Sequence, residues 1–173
     1  TVQEVEELTL SGTDKMIYLT QTTLSLDDTK EVILALREKY PQIIAPPLQD
    51  ICYATTNRQE AVKVLAQEVD LVLVVGSQTS SNSNRLVETA KLAGVTSFLI
   101  DRPKSIKSEW LEGVQRVGIT AGASAPEDIV QAVVDFFERS GASVRELVAK
   151  PEVMKFAEPL ELMHIKRERL SKA

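Results

Sequence analysis

The chain is poor in most of the side chains that do chemistry. Its 173 residues include one cysteine, Cys52, and one histidine, His164. One cysteine excludes an internal disulfide. One histidine, in the tail and without an evident Asp partner, leaves a serine-hydrolase triad unsupported. There is no Cys-x-x-Cys or His-Glu-x-x-His, so no ordinary zinc site. Gly-x-Gly-x-x-Gly and Gly-x-x-x-x-Gly-Lys-Ser/Thr are missing too, which removes the standard nucleotide fingerprints. Net charge is −5, so a basic field for nucleic acid is lacking. No apolar run approaches the roughly 20 residues of a membrane span, and no signal peptide is visible. The chain begins at Thr1 rather than Met and reads as processed or cut from something longer.

What is present is organised around Leu71-Val72-Leu73-Val74-Val75-Gly76, followed by Ser77-Gln78-Thr79-Ser80-Ser81-Asn82-Ser83-Asn84-Arg85-Leu86. Five consecutive aliphatics read as a strand covered on both faces, as in a parallel sheet. A glycine ends the run, small polar residues follow, and a helix begins. Its face carries Leu86, Val87, Ala90 and Ala93, and Gly94 stands at its C-cap. A loop at the carboxyl end of a parallel strand is where open α/β sheets bind ligands, and a helix start supplies free N–H groups.

The same theme recurs along the chain. Residues 1–14 read as a short acidic helix or extended lead-in, with Glu4, Glu6 and Glu7 as a solvated face. Lys15-Met16-Ile17-Tyr18-Leu19 reads as a strand, followed by Thr20-Gln21-Thr22-Thr23-Leu24-Ser25 and a helix with Val32, Ile33 and Leu36 inward. Capping boxes are expected at Ser25 with Asp28, Thr56 with Gln59, and Ser124 with Glu127. Strands are expected at residues 97–100, 116–120 and 143–148, and a short helical piece with Trp110 at 108–111. The helix carrying Val62 and Leu65 and that carrying Ile129, Val130, Val133 and Phe137 cover the sheet. Two prolines, Pro46 and Pro47, mark a boundary. The expected division is residues 1–48, 49–142, and a strand and tail over 143–173.

Right-handed crossovers bring the polar loops to one sheet edge. Ser80, Ser81 and Asn82 are three consecutive neutral donors at a loop-to-helix junction, and Thr22 and Ser124 occupy equivalent junctions. Such residues are also the commonest N-caps, and pattern alone does not separate cap from ligand. Cys52, beside Ile51 and Tyr53, is readable as a small buried residue or as a thiol made reactive by the following helix start.

Four stretches resemble the LytB/IspH family of 4-hydroxy-3-methylbut-2-enyl diphosphate reductases, in order and at family-like spacing. They are Thr20 to Ser25, Asp50-Ile51-Cys52-Tyr53-Ala54-Thr55-Thr56-Asn57-Arg58-Gln59, Gly76 to Arg85, and Val117 to Pro126, with a weaker echo in Val153 to Leu162. The resemblance covers roughly residues 15–135 and implies an α/β fold of parallel strand–loop–helix units, part of a three-unit pseudo-symmetric architecture. It implies reductive removal of an allylic hydroxyl, giving isopentenyl and dimethylallyl diphosphates by the non-mevalonate route. It also implies a [4Fe-4S] cluster on three cysteines. By motif, Cys52 resembles one cluster ligand, Ser80, Ser81, Asn82 and Ser124 the diphosphate clamp, and Thr22 the threonine at the substrate's hydroxyl end. The family's other two cysteines, its ligand-facing histidines and its proton-relay glutamate have no match here. That makes the chain a C-terminal portion whose first partner is the remaining N-terminal part of the same protein. A ferredoxin or flavodoxin donor and a bacterial cytoplasmic or plastid stromal location follow from the same resemblance. Two alternatives stand beside it: a non-catalytic diphosphate-binding module, and a cysteine-nucleophile enzyme, which the lack of a His partner disfavours.

Overall fold

Leu71–Val75 forms β1, and all five side chains are buried. A computed structural model of the chain describes residues 1–10, 15–46 and 53–148. In it β1 is the middle strand of a three-stranded parallel sheet, flanked by β2 (Thr96–Ile100) and β3 (Val117–Ala121) in the order β2-β1-β3. The register is even: Val75 lies opposite Ile100 on one side and Ala121 on the other. All three strands therefore end at the same level. Whatever follows them lies along one edge.

The alternation of a strand splits β1 between two cores. Val72 and Val74 pack with Val62 of α3 (Tyr53–Ala66) and with Leu86 and Ala90 of α4 (Ser81–Leu92). Leu71, Leu73 and Val75 face the other way, toward Ile100, Val133 and the partly buried Ile129, Val130 and Phe137 of α5 (Glu127–Arg139). Two 3₁₀ turns, Pro103–Ser105 and Ser108–Leu111, close this second face. There Trp110 stacks on Phe98 with ring centroids 3.8 Å apart. Burying such side chains is worth roughly 1.5–3 kcal/mol each, and all five of β1 are buried.

The N-terminal segment packs α1 (Val2–Glu7) on α2 (Leu26–Lys39). The Tyr40 hydroxyl donates to the Leu8 carbonyl at 2.7 Å and accepts from the Leu10 N–H at 3.3 Å, tying the two ends of this segment together. Three contacts carry α2 onto the parallel unit. Gln59 Nε2 donates to the Leu24 carbonyl at 2.8 Å, Lys63 pairs with Asp27 at 2.6 Å, and Arg85 with Asp28 at 3.6 Å.

Several elements differ from expectation. Residues 15–19 form no strand. Ile17 makes one parallel bridge, to Ile44, and with no third segment beside them among the described residues the pair stays 56% and 55% exposed. Residues 143–148 likewise lack a strand, and Val144 and Val148 are exposed. Thr56 and Gln59 lie within α3, interior rather than a cap and its partner; the Gln59 amide reaches the loop instead. At α5 the N-cap is Pro126 with no side-chain cap bond, and Ser124 sits in the preceding turn. Ser25 does cap α2, accepting from the Asp28 N–H at 3.3 Å, while the Asp28 carboxylate turns to Arg85.

Candidate functional site

The parallel ladder runs one residue past the strands. The Gly76 N–H donates to the Ile100 carbonyl and the Gly122 N–H to the Val75 carbonyl, both at 2.9 Å. Side by side, these two glycines form the floor at the carboxyl edge of β1 and β3. The loop after Gly76 is tied to itself. Thr79 N–H donates to Ser77 Oγ at 3.2 Å, and Asn84 Nδ2 reaches the Gln78 and Ser80 carbonyls at 2.8 and 3.0 Å. Ser80 is the N-cap of α4, its Oγ accepting from the Ser83 N–H at 3.3 Å. The loop is thus preformed, and its helix points its positive end at the floor.

Asn82, in the first turn of α4, is 7% exposed, and neither Nδ2 nor Oδ1 has a hydrogen-bond partner among the described residues. Its amide leans toward β3: a Cβ built on Gly122 would stand 3.7 Å from Asn82 Nδ2. An unpaired buried polar group costs about 1–3 kcal/mol. Native proteins keep such groups where something else completes them. An amide offers a donor and an acceptor together, and a phosphate oxygen takes the donor. The Tyr53 hydroxyl of α3 is another buried polar atom without a partner among the described residues.

Charge around the edge is uneven. Arg58 of α3 donates from Nε to the Ala121 carbonyl at 3.3 Å, which brings one cation to the end of β3. Past the end of β2, the Arg102 guanidinium and then the Ser105 hydroxyl hold the Asp101 carboxyl down to about 2. That carboxylate stays ionised and is paired with Arg102 at 2.8 Å.

Of the residues expected from sequence, Ser80 and Asn82 come together at the start of α4. Ser81 is exposed, and Ser124 is exposed beyond the end of β3. Thr22 is exposed in the turn of the 20–25 loop, which Gln59 ties to α3 through the Leu24 carbonyl. Cys52 and His164 lie outside the described residues. Among the described residues no group of three or more His, Cys, Asp or Glu could hold a metal ion. Arg58 and Ser83 belong to this edge and were not singled out from sequence. Arg58 lies within the Thr-Asn-Arg-Gln stretch, but its reach to β3 depends on where α3 starts. Ser83 is three residues after the N-cap, the position that answers a capping side chain.

Comparison with known proteins adds length and ancestry to this geometry. The profile described as LytB protein matches residues 1–138. The 4-hydroxy-3-methylbut-2-enyl diphosphate reductase of Haemophilus influenzae strain PittEE is 54% identical over 162 residues, covering 93% of this chain and 52% of that protein. The protein of the same name from Chromohalobacter salexigens is 54% identical over 160 residues, covering 92% of this chain and 50% of that one. The solved structure of the E-1-hydroxy-2-methyl-but-2-enyl-4-diphosphate reductase from Plasmodium falciparum aligns with a TM-score of 0.83 at 33% identity, over 97% of this chain and 54% of that one. The chain spans about half the length of the curated relatives it matches.

Proposed function

The chain belongs to the LytB family, and on that premise we propose that it supplies the diphosphate-binding portion of a 4-hydroxy-3-methylbut-2-enyl diphosphate reductase. In the proposed reaction two electrons and two protons enter. The allylic C–O bond breaks, the hydroxyl leaves as water, and isopentenyl or dimethylallyl diphosphate remains. The observation that carries the reading is Asn82, buried at a helix N-terminus with both amide atoms unpaired among the described residues.

This chain's own share of the work is grip and orientation. The first N–H groups of α4, the Ser80 hydroxyl and Asn82 Nδ2 hold the diphosphate oxygens. Ser81 and Ser124 close over it from their exposed positions at the same edge, and Arg58 adds charge. Holding one end fixes the other, so the allylic carbon is presented in one direction. Thr22 is proposed as the catalytic residue at the substrate's hydroxyl end, on the loop that Gln59 anchors. Cys52 is proposed as one [4Fe-4S] ligand, with the remaining ligands from the part of the relatives' length that this chain does not span. Electrons would come from a reduced ferredoxin or flavodoxin, in a bacterial cytoplasm or a plastid stroma.

The test is calorimetric titration of pyrophosphate into the 173-residue chain and its Asn82→Ala variant. Wild type is expected to bind. Asn82→Ala is expected to lose binding while its thermal stability holds or rises, because the substitution removes an unpaired buried amide. A wild-type chain that gives neither heat nor stabilisation refutes the preformed clamp.

A further inference from the structure

We infer that Ser83 is a positioning residue that makes the Ser80 hydroxyl an obligate donor toward the bound anion. The inference rests on the diphosphate-binding reading above and deepens it.

Ser83 is 1% exposed and stands between the two glycines of the floor. A Cβ on Gly76 would lie 2.2 Å from Ser83 Oγ, and one on Gly122 would lie 2.1 Å from it. The hydroxyl therefore occupies space that any side chain at 76 or 122 would fill. Packed from both sides, it has little rotamer freedom. From there Ser83 Oγ donates to Ser80 Oγ at 3.0 Å, and the Ser83 backbone N–H donates to the same oxygen at 3.3 Å.

A hydroxyl oxygen has two lone pairs and one proton. Ser83 occupies both lone pairs of Ser80. What Ser80 has left to offer is its proton, and no described residue accepts it. A hydroxyl in that condition suits a ligand made of acceptors, as a diphosphate is, and rejects one that presents a donor at the same point. Ser83 itself lies beneath Ser80 and needs no contact with the ligand. The two glycines, the buried serine and the capping serine form one device, assembled from the ends of two neighbouring strands and the start of one helix.

The experiment is a double-mutant cycle on pyrophosphate affinity, measured by calorimetry for wild type, Ser83→Ala, Ser80→Ala and the double variant, with thermal unfolding of each. If Ser83 acts through Ser80, Ser83→Ala weakens binding about tenfold, as for one hydrogen bond to a charged group. In the Ser80→Ala background the same change costs less than about twofold. A residue with a merely structural role would weaken binding equally in both backgrounds, and that outcome overturns the inference. So does a Ser83→Ala chain that binds like wild type. A wild-type chain that binds no pyrophosphate overturns the clamp itself, and this inference with it. That failure differs from the others because it appears before any substitution is made.

Discussion

Gly122→Ala is the sharpest perturbation the structure offers, because its cost is set by one neighbour. Gly122 has no positive φ, so alanine meets no backbone strain there. The added methyl meets Ser83 Oγ at 2.1 Å, Ser83 Cβ at 3.3 Å and Asn82 Nδ2 at 3.7 Å. Ser83 cannot retreat, since Gly76 closes the opposite side. Overpacking of this kind costs about 1–3 kcal/mol. In a chain this long that lowers the Tm by roughly 3–10 °C. Gly76→Ala should cost a similar amount, with its methyl at 2.2 Å from Ser83 Oγ and 2.8 Å from Ser83 Cβ. The two differ in how they are relieved. Removing the oxygen with Ser83→Ala leaves Gly122→Ala with a closest contact of 3.3 Å, which a shift of a few tenths of an ångström absorbs. Gly76→Ala keeps its 2.8 Å clash with the Ser83 Cβ. Urea unfolding of the single and double variants should therefore show strong coupling of Ser83→Ala with Gly122→Ala and weaker coupling with Gly76→Ala. Equal rescue of both, rescue of neither, or a Gly122→Ala chain within about 0.5 kcal/mol of wild type would refute the packing argument.

Three other outcomes are expected. Leu86→Ala, which empties a fully buried position beneath β1, should cost about 2–5 kcal/mol in urea unfolding. Gln59→Ala should cost about 1–3 kcal/mol and speed hydrogen exchange in residues 20–25 while leaving β1 protected, since the Gln59 amide is what anchors the Leu24 carbonyl to α3. Asp101 has its carboxyl held down to about 2 in the folded chain, against an ordinary 3.8. Its contribution is thus present above the ordinary value and lost as pH falls through the folded one. Asp101→Asn should flatten that part of the stability curve in Tm measurements between about pH 5 and pH 2, and parallel curves for the two chains would count against it.

The parallel edge was legible in the sequence because its signals are local. A run of five aliphatics, a glycine and a polar loop name a buried strand and the place where a ligand meets it. The start of α3 was harder. Thr56 and Gln59 have the spacing of a cap, and only the position of the Leu24 carbonyl explains why Gln59 is used elsewhere. Residues 15–19 carry strand-forming side chains, but a strand needs a neighbour, and Ile17 finds one residue to pair with among those described. Ser124 looked like a cap, and its place was taken by Pro126. Ser83 was invisible for a different reason. Its role is defined by two glycines from separate strands, and nothing local to residues 80–86 announces them.

Asn82 also bears on how this fold could be improved in the laboratory. Judged on the folded chain alone, its position favours a small apolar residue, and most routes to a more heat-resistant protein would replace it. A library selected purely for survival at high temperature should drift away from asparagine there while keeping the parallel sheet intact. Its winners would be sturdier and deaf to pyrophosphate. Any stabilised version meant to retain the clamp has to be screened for binding at every round, with residue 82 held fixed from the start.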